Sequence, residues 1–368
     1  MLITIEPGVR LFVDIEGPGF VPDGPQLREK PTLVLLHGGP GYDHSSFKPL
    51  FSRLADVAQI VYVDHRGHGR SDRRPAAEWT LDTFADDVVK LCDALGISKP
   101  IVLGQSFGGF VAQRYLARHP AHPAKVVLSS TSHHLGLERK VEAFTRFGGP
   151  AAGAAARAFW TKPCPETWAP YNTHCRDVYN PTPGDPVARA RTLMNEDILF
   201  TSASGEQQTM QLLPGLARVQ CPVLVMAGEL DPVTPLADAQ EIAAAIPQPW
   251  GRLVTFPKAG HGAWRDCPDE AMALLRQFIT AARVRRGGFS PRPRACARGP
   301  RGACRRSSRP PGAQAPHPAA PAPWPQPRRA SARARGCIRC RRARRHGLPP
   351  PGVCRAGLSR PRHGLPAA

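Results

Sequence analysis

The chain has 368 residues, with 49 Lys and Arg against 29 Asp and Glu and a formal charge of +20, and it is long enough for one large domain or two small ones. The charge sits at one end: residues 285–368 hold 21 arginines, no lysine and no acid, leaving 28 basic against 29 acidic residues in the rest. That near-neutral body calls for no nucleic-acid partner, and no apolar run approaches the ~20 residues of a membrane span.

In chain order, the opening MLITIEPGVRLFVDIEG alternates as two short strands around a Pro-Gly turn. It lacks the charged start and unbroken apolar stretch of a signal peptide. Cys92, Cys164, Cys175, Cys221 and Cys267 are scattered and odd in number, unlike a secretory framework, so a cytoplasmic protein is expected. Continuous apolar runs at 32–38, 59–67, 100–106, 125–131, 222–229 and 252–257 predict strands covered on both faces. Between them, Leu81, Phe84, Val88, Leu91 and Leu95 share one helical face, with Thr80 as N-cap and Gly96 as stop. Pro268 opens a last helix carried by Met272, Leu275 and Ile279. Alternating strands and helices imply an α/β fold, a mostly parallel sheet flanked by helices.

From His133 to about Gly215 no strand pattern occurs. Helices are expected around 138–160 and 186–200, with a Pro-rich stretch between them and eight large aromatics. A segment of that length reads as an inserted helical cap, since plain loops so long are uncommon. The expected organisation is a core in two parts, 1–132 and 216–284, a cap at 133–215, and a tail at 285–368. The Arg, Pro, Ala and Gly composition of the tail predicts disorder. Those residues are also what GC-rich codons write in a shifted or read-through frame.

Residues 104–109, GQSFGG, put a serine between the strand PIVL and a helix. Gly-x-Ser-x-Gly in that setting is a nucleophile elbow: a strained corner lifts the Ser106 hydroxyl clear of the sheet. The Phe107 amide, first in the new helix, is then a natural oxyanion donor. A serine nucleophile needs a base and the base an orienting acid. Asp231 follows the strand PVLVMAGE and His261 follows RLVTFP, in the order Ser, Asp, His; Glu229 is the fallback acid. The glycine-rich HGGPG at 37–41 follows another strand, and the Gly39 amide is expected as the second oxyanion donor.

HGGPG, DHRGHGRSD at 64–72, GQSFGG, GELD at 228–231 and AGHG at 259–262 together resemble an α/β-hydrolase of the proline iminopeptidase type over residues 1–284. The resemblance implies a serine aminopeptidase that releases an N-terminal residue, preferably proline, through an acyl-enzyme. In it, Arg66 braces the loop after its strand. Glu196, in an Asn-Glu pair late in the cap, binds the substrate ammonium by a charge-assisted hydrogen bond. Pro232 stands where some relatives have a second acid. The alternative is a carboxylesterase or lactonase acting on an uncharged acyl group. The partner is a small peptide or ester, and no metal or cofactor is expected: the adjacent His133 and His134 have no carboxylate cluster beside them in sequence. Cys337, Cys340, His346 and Cys354 have irregular spacing for zinc.

Overall fold

Strands that are apolar at every position need cover on both faces, and the runs at 32–36, 101–105, 125–129 and 223–228 have it at every residue, whereas 251–256 at the sheet edge is only partly covered. The computed structural model describes residues 1–281; the last three residues of the second core part and the tail at 285–368 lie outside the described residues. The strands are β1 (Leu2–Glu6), β2 (Val9–Glu16), β3 (Phe20–Asp23), β4 (Gln26–Glu29), β5 (Thr32–Leu36), β6 (Gln59–Val63), β7 (Ile101–Gln105), β8 (Lys125–Ser129), β9 (Val223–Gly228) and β10 (Gly251–Phe256). Eight of them form one sheet in the order β1-β2-β6-β5-β7-β8-β9-β10. It is parallel from β6 to β10, with antiparallel β1 and β2 at one edge. The separate hairpin β3-β4 is not predicted by the sequence pattern, because its residues are mostly exposed and show no apolar alternation.

Within β5, Val34 and Leu36 enter one core layer and Leu33 and Leu35 the other; Val102 and the pair Ile101 and Leu103 divide likewise in β7. Each such side chain contributes about 1.5–3 kcal/mol by leaving water. The first layer is closed by α1 (Leu81–Ala94) and α2 (Phe107–Arg118), the second chiefly by a 3-10 turn at Leu50–Leu54 and the C-terminal helices. Thr80 caps α1 by accepting from the Thr83 amide at 3.1 Å.

Between β8 and β9 the chain forms α3 (Leu137–Thr161), α4 (Pro165–Cys175), α5 (Pro186–Ala190), α6 (Glu196–Ser204), α7 (Glu206–Thr209) and α8 (Leu213–Leu216). α3 kinks at Gly149-Pro150. α4 occupies the Pro-rich stretch, where the sequence pattern predicts no element, and Pro165 fits there because the first helical position needs no N–H. The helix expected over 186–200 is instead two. Asn195 is drawn out of it by hydrogen bonds to Gly41 O (2.7 Å, from its amide) and Gly67 O (3.1 Å, from Nδ2). Phe144, Phe159, Trp160, Tyr171 and Leu199 give this insertion a core of its own. The chain then returns through α9 (Leu236–Ala245), α10 (Ala263–Asp266) and α11 (Pro268–Thr280). Among the described residues, no helix is long and apolar enough to cross a membrane.

Two buried devices hold the loops at the carboxyl edge of the sheet. Arg66 donates to Asp87 (2.6 and 2.9 Å), Glu78 (2.6 Å) and Glu6 (2.6 Å), tying the β6 loop to α1 and β1. His37, His65 and His68 cluster with ring centroids 4.5–5.6 Å apart. Burial holds all three below the ordinary histidine range, His68 at about 3. The His65 amide donates to His37 Nε2 at 3.2 Å, so the ring proton of His37 is on Nδ1, which donates to Gly38 O at 2.7 Å.

Two outcomes follow. A Cβ on Gly108 would collide with the carbonyl of Leu36 at the end of β5. Gly108→Ala therefore lowers stability by about 3 kcal/mol or more in urea unfolding. The three histidines are neutral when folded but take up protons near pH 6.5 when unfolded. Their stabilisation is complete above that pH and is lost as pH falls toward the folded values, at about 1.4 kcal/mol per unit for each. The urea midpoint should fall from pH 7 to 5, with protons taken up on unfolding at pH 5 by His65 and His68 and a further contribution from His37.

Candidate active site

The corner between β7 and α2 places Ser106 at φ 53° and ψ −116°, a left-handed conformation that is costly for any residue but glycine. It is held there by its neighbours. The Ser106 amide donates to Ser129 O (3.0 Å), and its carbonyl accepts from Gly109 N (2.8 Å) and from the Thr131 hydroxyl (2.9 Å). A Cβ on Gly104 would strike the Gly108 backbone, and one on Gly109 would strike Thr131. The glycines thus permit the strand and helix to meet closely enough to make the corner. Phe107 is the first residue of α2, so its N–H has no intrahelical acceptor.

Asp231 follows β9 and His261 follows β10, and the two meet: His261 Nδ1 lies 2.9 Å from Asp231 Oδ2. The Asp231 carboxylate is fixed by three further donors, the Val233 amide (2.8 Å), the Thr234 amide (2.9 Å) and the Thr234 hydroxyl (2.7 Å). An acceptor-only carboxylate at this ring nitrogen selects the Nδ1–H tautomer, leaving the Nε2 lone pair on the opposite side of the ring. The His261 backbone is set by its amide bond to Tyr179 O at 2.7 Å, and the Tyr179 ring stands edge-on to the imidazole at 5.5 Å. Gly262 N donates to Ser130 Oγ at 2.9 Å, and a Cβ on Gly262 would lie 3.4 Å from Gln105 Nε2. The residues flanking His261 and Ser106 are therefore in contact. All three side chains are buried.

In the loop after β5, Gly38 comes close to the elbow: a Cβ on it would lie 3.3 Å from Ser106 Cβ. Its carbonyl is the one held by His37. In a trans peptide the N–H opposes the C=O, so the Gly39 amide is held in the same plane, pointing away from His37. Gly39 itself has φ 138°, where a Cβ would crowd Gly41 N at 2.9 Å. Neither Ser130 nor Thr131 was singled out from sequence. Both sit past the end of β8 with nothing in the run SST to mark them.

Glu196 stands exposed at the first position of α6, and its carboxylate has no partner among the described residues. Asn195 beside it grips the loop of Gly41. Glu229, the fallback acid, accepts from the Thr255 hydroxyl instead and does not engage His261. A cavity of about 210 Å³ lies where α1 and α2 face α6 and α7, lined by Trp79, Leu81, Phe84, Phe107, Phe110 and Met210 among others. Folding also supplies what sequence did not place beside His133 and His134: Asp238 and Glu241 of α9, with four potential ligand atoms within 4.8 Å. Arg139 bridges the two carboxylates, 2.8 Å from Asp238 Oδ1 and 2.8 Å from Glu241 Oε2. The cluster is thus an ion-pair network joining the insertion to α9.

Comparison with known proteins agrees with this architecture. The family profile for the alpha/beta hydrolase fold matches residues 31–264. The AB hydrolase superfamily protein YisY of Bacillus subtilis is 27% identical over 303 residues, 75% of this chain and 97% of that protein. A proline iminopeptidase of Lactobacillus helveticus is 28% identical over 284 residues, covering 68% and 90% of the two chains. Among solved structures, an esterase from Exiguobacterium antarcticum superposes with a TM-score of 0.59 at 21% identity, over 76% of this chain and 99% of that one. With the matched region spanning most of the sheet and the insertion, the chain belongs to the α/β-hydrolase fold family.

Proposed function

We propose that the protein is a serine hydrolase working through an acyl-enzyme, with Ser106 as nucleophile, His261 as base and Asp231 as orienting acid. The observation that carries this is the 2.9 Å bond from His261 to a carboxylate already fixed by three other donors. Beside it, the serine is held at positive φ at the end of β7. In the reaction, Ser106 Oγ bonds to the substrate carbonyl carbon while its proton passes to His261 Nε2. The Phe107 and Gly39 amides receive the charge that develops on the carbonyl oxygen. Collapse breaks the bond to the leaving group, which takes the proton from Nε2. Water then repeats the sequence on the acyl-enzyme, releasing the acid and restoring the serine.

The first substrate reading is release of an N-terminal proline or other small residue from a short peptide. Glu196 supports it, an unpaired carboxylate one residue from the segment that grips the HGGPG loop, available for a charge-assisted bond to an ammonium. A second reading, hydrolysis of an ester or lactone with an uncharged acyl group, is supported by the cavity beside Phe107. At about 210 Å³ with a mainly apolar lining, it exceeds the roughly 150 Å³ that admits a benzene ring.

Ser106→Ala is expected to reduce kcat by several orders of magnitude on either substrate class, and Asp231→Asn by about 10⁴ through the wrong imidazole tautomer. Near-wild-type turnover by either variant would refute the triad. Proline naphthylamide and a short-chain nitrophenyl ester, assayed side by side, separate the two substrate readings. Glu196→Gln should raise KM for the amine substrate about tenfold and leave the ester KM within twofold. Equal effects on both would remove Glu196 from amine recognition.

A further inference from the structure

The cavity where α1 and α2 face α6 and α7 is lined in part by polar groups that the fold leaves unused. Ser202 of α6 and Gln207 of α7 both line it, and they are only 8% and 6% exposed. Neither side chain makes a hydrogen bond to the described residues, and the Ser202 hydroxyl and the Gln207 carbonyl oxygen are buried. A buried polar group left unmatched lowers stability, so two of them on one cavity wall call for an answer from outside the chain. The Gln207 amide can turn over about its last torsion and so offer either a donor or an acceptor.

The remaining lining defines what that answer looks like. Glu206 is the acid of the cavity, and both of its oxygens are engaged: Oε2 accepts from the Leu81 amide at 2.8 Å and Oε1 from Arg114 at 3.5 Å. With that charge already met, the fitting occupant is neutral. Phe84, Phe107 and Phe110 supply aromatic walls, and Phe107 meets the other two edge-on with ring centroids 5.7 and 6.1 Å apart. A further ring extends that arrangement, since aromatic pairs favour edge-to-face and offset contacts. The volume of about 210 Å³ exceeds the roughly 150 Å³ that admits benzene, which leaves room for one small substituent. Ser106, His261 and Gly39 are not among the lining residues. Phe107, which follows the elbow serine, belongs to both places.

We propose that this cavity is a binding site for a neutral aromatic ring carrying one small hydrogen-bonding substituent, phenol being the simplest case, with Gln207 and Ser202 answering the substituent. The site stands apart from the hydrolase reading and holds whether or not Ser106 is a nucleophile. Such a ring arrives either as the acyl part of an ester or as a separate molecule, and both present the same chemistry to the cavity.

The test is calorimetric titration of the full chain with phenol and with toluene, which carries a methyl group in place of the hydroxyl. The ratio of phenol to toluene affinity should fall about tenfold in Gln207→Leu and by a smaller factor in Ser202→Ala, as expected for lost hydrogen bonds. No binding of either probe, or a ratio that Gln207→Leu leaves unchanged, overturns the proposal. Because Gln207 makes no hydrogen bond in the fold, Gln207→Leu should keep or raise the urea midpoint; a lower midpoint would mean that the amide holds the structure, and counts against the site. Hydrolysis of 4-nitrophenyl butyrate separates the two sources of the ring. Competitive inhibition by phenol, with an inhibition constant equal to its Kd, assigns the ring to the acyl part. Binding that leaves KM unchanged assigns it to a separate molecule, and either result keeps the site. Failure of the hydrolase reading shows separately, as no turnover of the ester by a chain that still binds phenol.

Discussion

Everything at the carboxyl edge of the sheet depends on one close approach, the contact of the first turn of α2 with β5 and β7. Gly104 and Gly108 lie backbone to backbone there, and Gly108 lies against the Leu36 carbonyl, so neither position has room for a side chain. The contact forces Ser106 to φ 53°, a conformation worth about 1–3 kcal/mol of strain. The offsetting energy comes from the packed layers on either side of the sheet, where β5, β7 and β8 are buried throughout. A strained corner persists because a large core over-determines it, and the same corner aims the helix N-terminus at the space above the serine.

Charge is distributed around that corner by burial. Where a fixed ion is needed, the fold saturates it: Arg66 meets three acids and Asp231 meets four donors. Where a fixed dipole is needed, the fold keeps the group neutral, as with His37, whose burial lowers its pKa and whose ring clamps the Gly38 carbonyl. Lys140 is the one buried lysine head of the insertion for which burial brings the pKa down, to about 8; it is satisfied by the Leu135 carbonyl at 2.5 Å. Against this background of paired ions, the side chains of Arg265 and Glu196 are exceptions, with no partner among the described residues.

The strands of the main sheet and most of the helices were legible in the sequence because each depends on local pattern. Strands covered on both faces are uninterrupted apolar runs; α1 announces itself by its stripe and by Thr80 at its start. The misses share a cause. β3 and β4 carry no apolar alternation, and the break before α6 arises from Asn195 bonding to Gly41 and Gly67, more than 120 residues away in the chain. α4 was hidden by prolines whose positions are tolerable only once the helix register is known.

For the site the division is similar. The sequence by itself determined the types and order of the chemical groups: a serine between glycines, an acid after one strand and a histidine after the next, because that chemistry is written in short motifs tied to strand ends. Only the tertiary structure decided their company. Gly38 lies close to Ser106, the Thr131 hydroxyl holds the Ser106 carbonyl, and the Ser130 hydroxyl holds the Gly262 amide beside His261. Whether a charged group is paired is a property of neighbours brought together by the sheet, and no spacing along the chain encodes it.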